Sequence, residues 1–237
     1  MTENVKTGIE GLDALFEGSL KSGSFCLVIG PSFSGTEVLI QQYFYNGLEL
    51  NEGAIYVTTK YFTEDVIGIM QERGFDITKY PDKYRFIDAY APQADPSLQD
   101  TDKIRYVPAI ADIPRFSSAL LYTMSGFTSF GFSKQRLSFD SIDALLMHVS
   151  PLGVYRFLSY LRAKMRGFKS TGFFLIQPDL HEEKTIKIIM QLVDVTIQLD
   201  HDNKEILVFQ SGKETKKAKY KVSEKGFEVE MRKTLPL

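Results

Sequence analysis

The chain has 237 residues, with 28 Lys and Arg against 30 Asp and Glu, a formal charge of −2. Its length suits one packed domain, residues 1–237, and is short for two. The charge balance excludes a broadly basic nucleic-acid surface and leaves room only for a local patch. One cysteine, Cys26, excludes an internal disulfide and fits a reducing compartment. The opening Met1-Thr2-Glu3-Asn4 lacks a basic-then-apolar leader, no apolar run approaches the ~20 residues that span a bilayer, and the three scattered histidines make no Cys/His cluster for zinc. The expectation is a cytoplasmic globular protein.

In chain order, Phe25-Cys26-Leu27-Val28-Ile29 is an apolar run of strand length that ends at Gly30, and Val38 to Tyr45 continues without breakers as a helix. Between them lies Gly30-Pro31-Ser32-Phe33-Ser34-Gly35-Thr36-Glu37. It has the spacing of the phosphate-binding P-loop G-x-x-x-x-G-K-[ST]. In a strand, glycine loop and helix of this kind, backbone N–H groups converge on an anion at the helix N-terminus.

Ala54 to Thr59 reads as the second strand and about Thr63 to Arg73 as a helix, with Val66, Ile67 and Met70 on one face and Gly74 as its stop. Tyr84 to Asp88 is a third strand. Ala91 to Lys103, with Pro92 and Pro96, reads as a flexible loop. Asp112 to Met124 is predicted helical, broken by Gly126 and Gly131. Arg136 to Phe139 is a strand ending at Asp140. Leu152 to Arg166 is a helix with Leu152, Tyr155, Leu158, Leu161 and Met165 at 3–4 spacing, and Gly172 to Gln177 a buried strand. Two hairpins follow, Val195 to Leu199 with Glu205 to Gln210, and Ala218 to Val222 with Phe227 to Met231. The fold class is α/β, a mostly parallel sheet flanked by helices and extended by antiparallel strands.

Val5 to Leu15 (VKTGIEGLDAL), Gly18 to Leu20 with Gly23, Ala54 to Ile67, the apolar run into Asp140-Ser141, Leu192-Val193-Asp194 and Gly226 to Val229 together resemble RecA-superfamily ATPases of the KaiC type. Asp102 to Val107 and Ala144 to Leu161 look closest to the archaeal branch of recombinase-paralogue and KaiC-like proteins. The resemblance covers nearly the whole chain and implies a RecA-like P-loop core, ATP and magnesium as ligands, and self-association through the surfaces that relatives use for rings or filaments.

Against that pattern the chain departs at its chemical positions. Thr36 stands for the phosphate-gripping lysine and Glu37 for the magnesium-binding hydroxyl. A carboxylate there repels a nucleotide: two unit charges ~4 Å apart at an effective dielectric of ~20 interact by about 4 kcal/mol. The paired catalytic glutamates of the family align with Lys60 and Tyr61, neither a ready base at neutral pH. The basic residues that reach between subunits align with Phe209 and Ser211, ahead of Gly212. Asp140 alone keeps its family position, as the carboxylate toward magnesium, although an Asp at a strand end also organises a following turn without any metal. Because the losses alternate in charge, Lys60 and Glu37 are expected to face each other. No catalytic residue is assigned, and with these losses ATP and magnesium are at best weakly held.

Other features have plain readings beside functional ones. His181, Glu182 and Glu183 read as an acid-rich helix start, and Gln177 as a structural version of a γ-phosphate sensor. Lys213, Lys216, Lys217, Lys219 and Lys221 read as a solvated hairpin face. Phe127, Phe130 and Phe132 read as core residues or as a partner surface in a loop. The functional expectation is a pseudo-ATPase acting as a regulatory or scaffold partner, through a protein partner or a homo-oligomer. The alternatives are a nucleotide switch in which Lys60 replaces the missing charge, and, behind it, a DNA-binding recombinase paralogue.

Overall fold

The computed structural model describes residues 4–18 and 20–230; Met1 to Glu3, Met231 and the middle residue of Gly18 to Leu20, which enter the readings above, lie outside that set. The strands are β1 (Asn4–Val5), β2 (Leu20–Lys21), β3 (Phe25–Ile29), β4 (Gly53–Thr58), β5 (Tyr84–Asp88), β6 (Ile104–Tyr106), β7 (Gln135–Asp140), β8 (Ser170–Ile176), β9 (Val195–Asp200), β10 (Glu205–Gln210), β11 (Lys216–Ser223) and β12 (Gly226–Glu230). The helices are α1 (Glu10–Leu15), α2 (Thr36–Glu49), α3 (Thr63–Glu72), α4 (Ala91–Ala94), α5 (Ile113–Ser129), α6 (Ile142–His148), α7 (Pro151–Gly167) and α8 (Glu183–Met190).

β1 and β2 form a small antiparallel pair, and the others make one sheet in the order β12-β11-β10-β9-β3-β8-β7-β4-β5-β6. From β9 to β6 every pairing is parallel, while β9 to β12 is an antiparallel meander. The central strands β3, β4, β7 and β8 are buried along their whole length, as strands covered on both faces are, although β7 carries the polar Gln135, Arg136, Ser138 and Asp140. One face packs against α2 and α3 through Leu39, Tyr43, Phe44 and Met70. The other packs against α5 to α8 through Phe116, Leu145, Leu158 and Ile189. This is the mostly parallel, helix-flanked sheet with C-terminal antiparallel strands that the sequence predicts.

Several elements differ from expectation. Pro92 starts α4 instead of breaking the chain, and β6 follows it. Proline fits the first turn of a helix, where its missing N–H has no partner to lose. The next helix begins as expected, with Asp112 capping it by accepting from Arg115 N at 2.9 Å, but it runs through Gly126 to Ser129. A single helical glycine costs only ~1 kcal/mol; the chain turns at Gly131, whose φ is +87°. Phe127 is consequently a buried helix residue and not part of a loop, while Phe130 is 72% exposed. Leu152, expected on the buried face of α7, is exposed, because that face runs through Val154, Phe157, Leu158, Leu161 and Met165 and a residue two positions before Val154 lies on the opposite side of the helix.

Arg136 has no exposed surface. Its Nε donates to Glu52 Oε2, its Nη1 to the carbonyls of Thr7 at 2.8 Å and Tyr43 at 2.9 Å, and its Nη2 to the Lys6 carbonyl. Its guanidinium also lies 4.6 Å from the centre of the Tyr43 ring. Gly47 leaves the room this needs, since a Cβ there would press on the Arg136 side chain. A buried charge is tolerable only with such complete satisfaction.

Candidate functional site

Four neighbouring strands, β3, β8, β7 and β4, end at one place. The loop Gly30 to Gly35 leaves β3, Gln177 follows β8, Asp140 closes β7, and Lys60 lies two residues beyond β4. Ligand crevices in open α/β sheets lie at these carboxyl ends. The loop keeps P-loop form. Gly35, with φ +98°, caps α2, and Phe33 has φ +64°. Ser34 donates from both N and Oγ to the Pro31 carbonyl, at 3.2 and 2.7 Å, and Ser32 Oγ reaches Gln177 Oε1 at 3.5 Å. Gly30 and Gly35 are required by proximity: a Cβ on Gly30 would meet Ser34 and Thr36, and one on Gly35 would meet Val222 of β11. Thr36 is buried and Phe33 is 96% exposed at the loop's tip.

The electrostatic centre is Lys60. Its Nζ lies 3.4 Å from Asp140 Oδ1 and 3.7 Å from Glu37 Oε1, so Lys60 and Glu37 face each other as their charges predict. Asp140 is buried and also accepts from Tyr56 Oη at 3.2 Å. Burial pushes the Asp140 carboxyl up to about 6, with Lys60 pulling the other way. Desolvation works against the Lys60 ammonium, but Asp140, Glu37 and Asp143 overcome it and hold its pKa above the usual lysine value. At neutral pH the site is therefore an ammonium between carboxylates. Tyr61 is pushed upward by the charge of Glu37 first, then by burial and Asp140, so it offers no base. Its backbone is fixed by Thr58, whose Oγ1 donates to the Tyr61 carbonyl at 2.7 Å and accepts from Tyr61 N at 3.3 Å.

Behind this centre Ser141 Oγ donates to Asp143 Oδ2 at 2.7 Å, and His181 Nε2 lies 2.8 Å from Asp143 Oδ1, which also accepts from Gln177 N at 3.0 Å. The carboxylate stands between hydroxyl and imidazole, so this is not a serine-nucleophile arrangement, in which the imidazole must hold the hydroxyl proton. Glu182 and Glu183 start α8 on the surface, and Glu183 pairs with Lys187 at 2.6 Å. Phe209 lies in β10 and Ser211 in the turn after it.

A cavity of about 440 Å³ opens over the loop, lined among others by Ser32, Thr36, Glu37, Lys60, Gln177 and Arg73. Arg73 sits at the end of α3, and its Nε is buried without a hydrogen-bond partner. Nothing in the sequence separates it from an ordinary helix-terminal arginine. The donor set does not fit a magnesium–triphosphate. The Asp140 carboxylate, which would face a magnesium ion, and Glu37 are both turned toward the Lys60 ammonium, and Thr36 brings no positive charge to the loop. Among the described residues there is no group of three or more His, Cys, Asp or Glu able to hold a metal, and no helix is long and apolar enough to cross a membrane.

The family model "ATPase: KaiC" matches residues 5–229. A UPF0273 protein of Pyrococcus horikoshii is 27% identical over 184 residues, covering 77% of this chain and 71% of that protein. The circadian clock oscillator protein KaiC of Parathermosynechococcus lividus is 26% identical over 152 residues, which is 64% of this chain and 26% of that protein. Among solved structures, a KaiC-like protein from Pyrococcus horikoshii superposes with a TM-score of 0.71 at 20% identity, covering 98% of this chain and all of the other.

Proposed function

Because the chain belongs to the KaiC ATPase family, we propose that it is a member which has lost ATP hydrolysis and works as a regulatory or scaffold protein, through a protein partner or a second copy. The observation that carries this reading is the Lys60 ammonium between Glu37 and Asp140. A protein cation holds the place where an active relative needs a metal ion and a water-activating carboxylate. The departures follow two different strands, β3 and β4, so restoring one residue does not restore the site. Exposed Phe33 and Tyr61 at its rim supply apolar surface of the kind that partners cover.

Isothermal titration with Mg-ATP, beside a phosphate-release assay, tests it. The wild-type chain is expected to give no turnover and no binding step at the glycine loop, and the Thr36→Lys, Glu37→Thr double variant is expected to gain a binding step that the wild type lacks. Wild-type binding equal to that of the double variant overturns the reading. One observation favours a second reading, a nucleotide switch without turnover: the Arg73 guanidinium in the cavity could partner an anion that Thr36 cannot. Binding without phosphate release, lost on Arg73→Ala, would select it.

A further inference from the structure

A second cavity, of about 650 Å³, lies at the opposite end of the sheet, where β5 and β6 begin and the last two turns of α5 pack over them. It shares no lining residue with the cavity over the glycine loop. Arg85, Lys103, Arg105, Tyr122, Phe127 and Phe130 line it. Arg85 and Lys103 immediately precede the paired residues Phe86 and Ile104 of neighbouring strands, and Arg105 follows, so three cations stand side by side. Like charges opposed across strands are destabilising, and all three are partly buried.

The local anions neutralise the cluster only in part. Asp82 and Asp102 also line the cavity, but neither makes an ion pair with these cations; Arg105 reaches Asp100 Oδ2 at 3.5 Å, and that carboxylate is held more closely by Arg115, at 2.8 Å. Desolvation and the charge of Arg85 hold the Lys103 ammonium below its usual pKa. Arg85 Nη1 donates to the Tyr84 and Asp82 carbonyls at 2.7 and 3.4 Å, and the cations also meet rings: Arg105 lies 4.5 Å from the centre of Tyr122, Arg85 5.6 Å from Phe127, and Lys103 4.7 Å from Tyr84. Tyr122 and Phe130 remain 65% and 72% exposed. Under-neutralised cations beside exposed rings match a ligand that carries an anion and a flat face, and the volume falls in the ~300–1,000 Å³ range of small-molecule sites.

We propose that this cavity binds a mononucleotide-class ligand, its phosphate on Arg85, Lys103 and Arg105 and its base against Tyr122 or Phe130. The bland alternative is that the cations only complement the carboxyl end of α5. Isothermal titration of the full chain with AMP and UMP, and with inorganic phosphate and adenosine as fragments, separates the two. A single saturable site for a mononucleotide is expected, tighter than for either fragment. The Arg85→Ala, Lys103→Ala pair should weaken it at least ~10-fold, about 1.4 kcal/mol, and Phe130→Ala or Tyr122→Ala more mildly. Thermal melts check that these variants stay folded, and Thr36→Lys, Glu37→Thr should leave this affinity unchanged. No binding of AMP or UMP overturns the proposal. So does binding indifferent to the Arg85 and Lys103 substitutions, or inorganic phosphate binding as tightly as the mononucleotides.

Discussion

Lys60 and Asp140 depend on each other in opposite senses. Replacing Lys60 by alanine leaves the buried Asp140 carboxylate facing Glu37 without a counter-charge. At neutral pH this is expected to cost on the order of 3 kcal/mol, the low end for breaking a buried pair, because Lys60 keeps 22% side-chain exposure; urea denaturation measures it. Asp140 itself is a carboxyl raised to about 6 by burial, opposed by Lys60, against ~3.9 in an unfolded chain. The folded state thus takes up a proton between about pH 6 and 4 that the unfolded state does not. Its stabilising contribution is full below about pH 4 and is lost as pH rises through about 6. The stability of wild type relative to Asp140→Asn should therefore improve on going from pH 7.5 to pH 5, measured by paired urea melts. A difference that stays flat, or moves the other way, contradicts the assignment of that pKa to Asp140.

At the scale of elements, the loop and the last hairpin are mechanically joined. A Cβ at Gly35 would collide with Val222, whereas one at Gly18, also at positive φ (+102°), would meet nothing within 4 Å. Both Gly→Ala changes strain the backbone, but only Gly35→Ala must also displace β11. It should cost more than Gly18→Ala by about 1 kcal/mol or above, the lower range for overpacking, as read from thermal or urea melts. The loop was legible in the sequence because its glycines sit at fixed spacing between a strand-length apolar run and a helix. The opposition of Lys60 and Glu37 was legible because the departures from the family pattern alternate in charge, and partly buried charges find partners. Arg73 and Asp143 were not, since their roles depend on where α3 ends and on how the segment after Asp140 turns. The short elements α4, β6 and α6 were missed for a related reason. Three to seven residues hold too few periods to show a pattern, and neighbours rather than propensity shape them.

Across the whole molecule, the lysine-rich hairpin is neutralised by carboxylates from three parts of the chain. Lys213 and Lys216 meet Glu17 at 2.9 and 3.7 Å, Lys217 and Lys219 meet Glu205 at 2.6 and 3.2 Å, and Lys221 meets Glu228 at 2.9 Å. Such exposed pairs add little stability, but they leave no run of unpaired charge along the hairpin for a phosphate backbone. Single-stranded DNA should therefore give no gel shift that weakens with salt and depends on Lys216 and Lys217. A shift lost on replacing both would restore the DNA-binding reading. The two cation clusters differ in this respect: the hairpin lysines have carboxylates, while Arg85 and Lys103 meet backbone carbonyls and rings.

The four-way satisfaction of Arg136 has a consequence for how the chain comes apart. Its guanidinium holds the Lys6 and Thr7 carbonyls from the middle of the sheet, so the first strand and α1 cannot peel away without leaving a cation stranded in the core. Chain ends ordinarily fray, and their amides trade hydrogen for deuterium almost freely. Here the amides from Val5 to Phe16 should exchange as slowly as those of β7, in step with global opening. Arg136→Met should uncouple them, so that the amino-terminal segment begins to exchange by its own local opening.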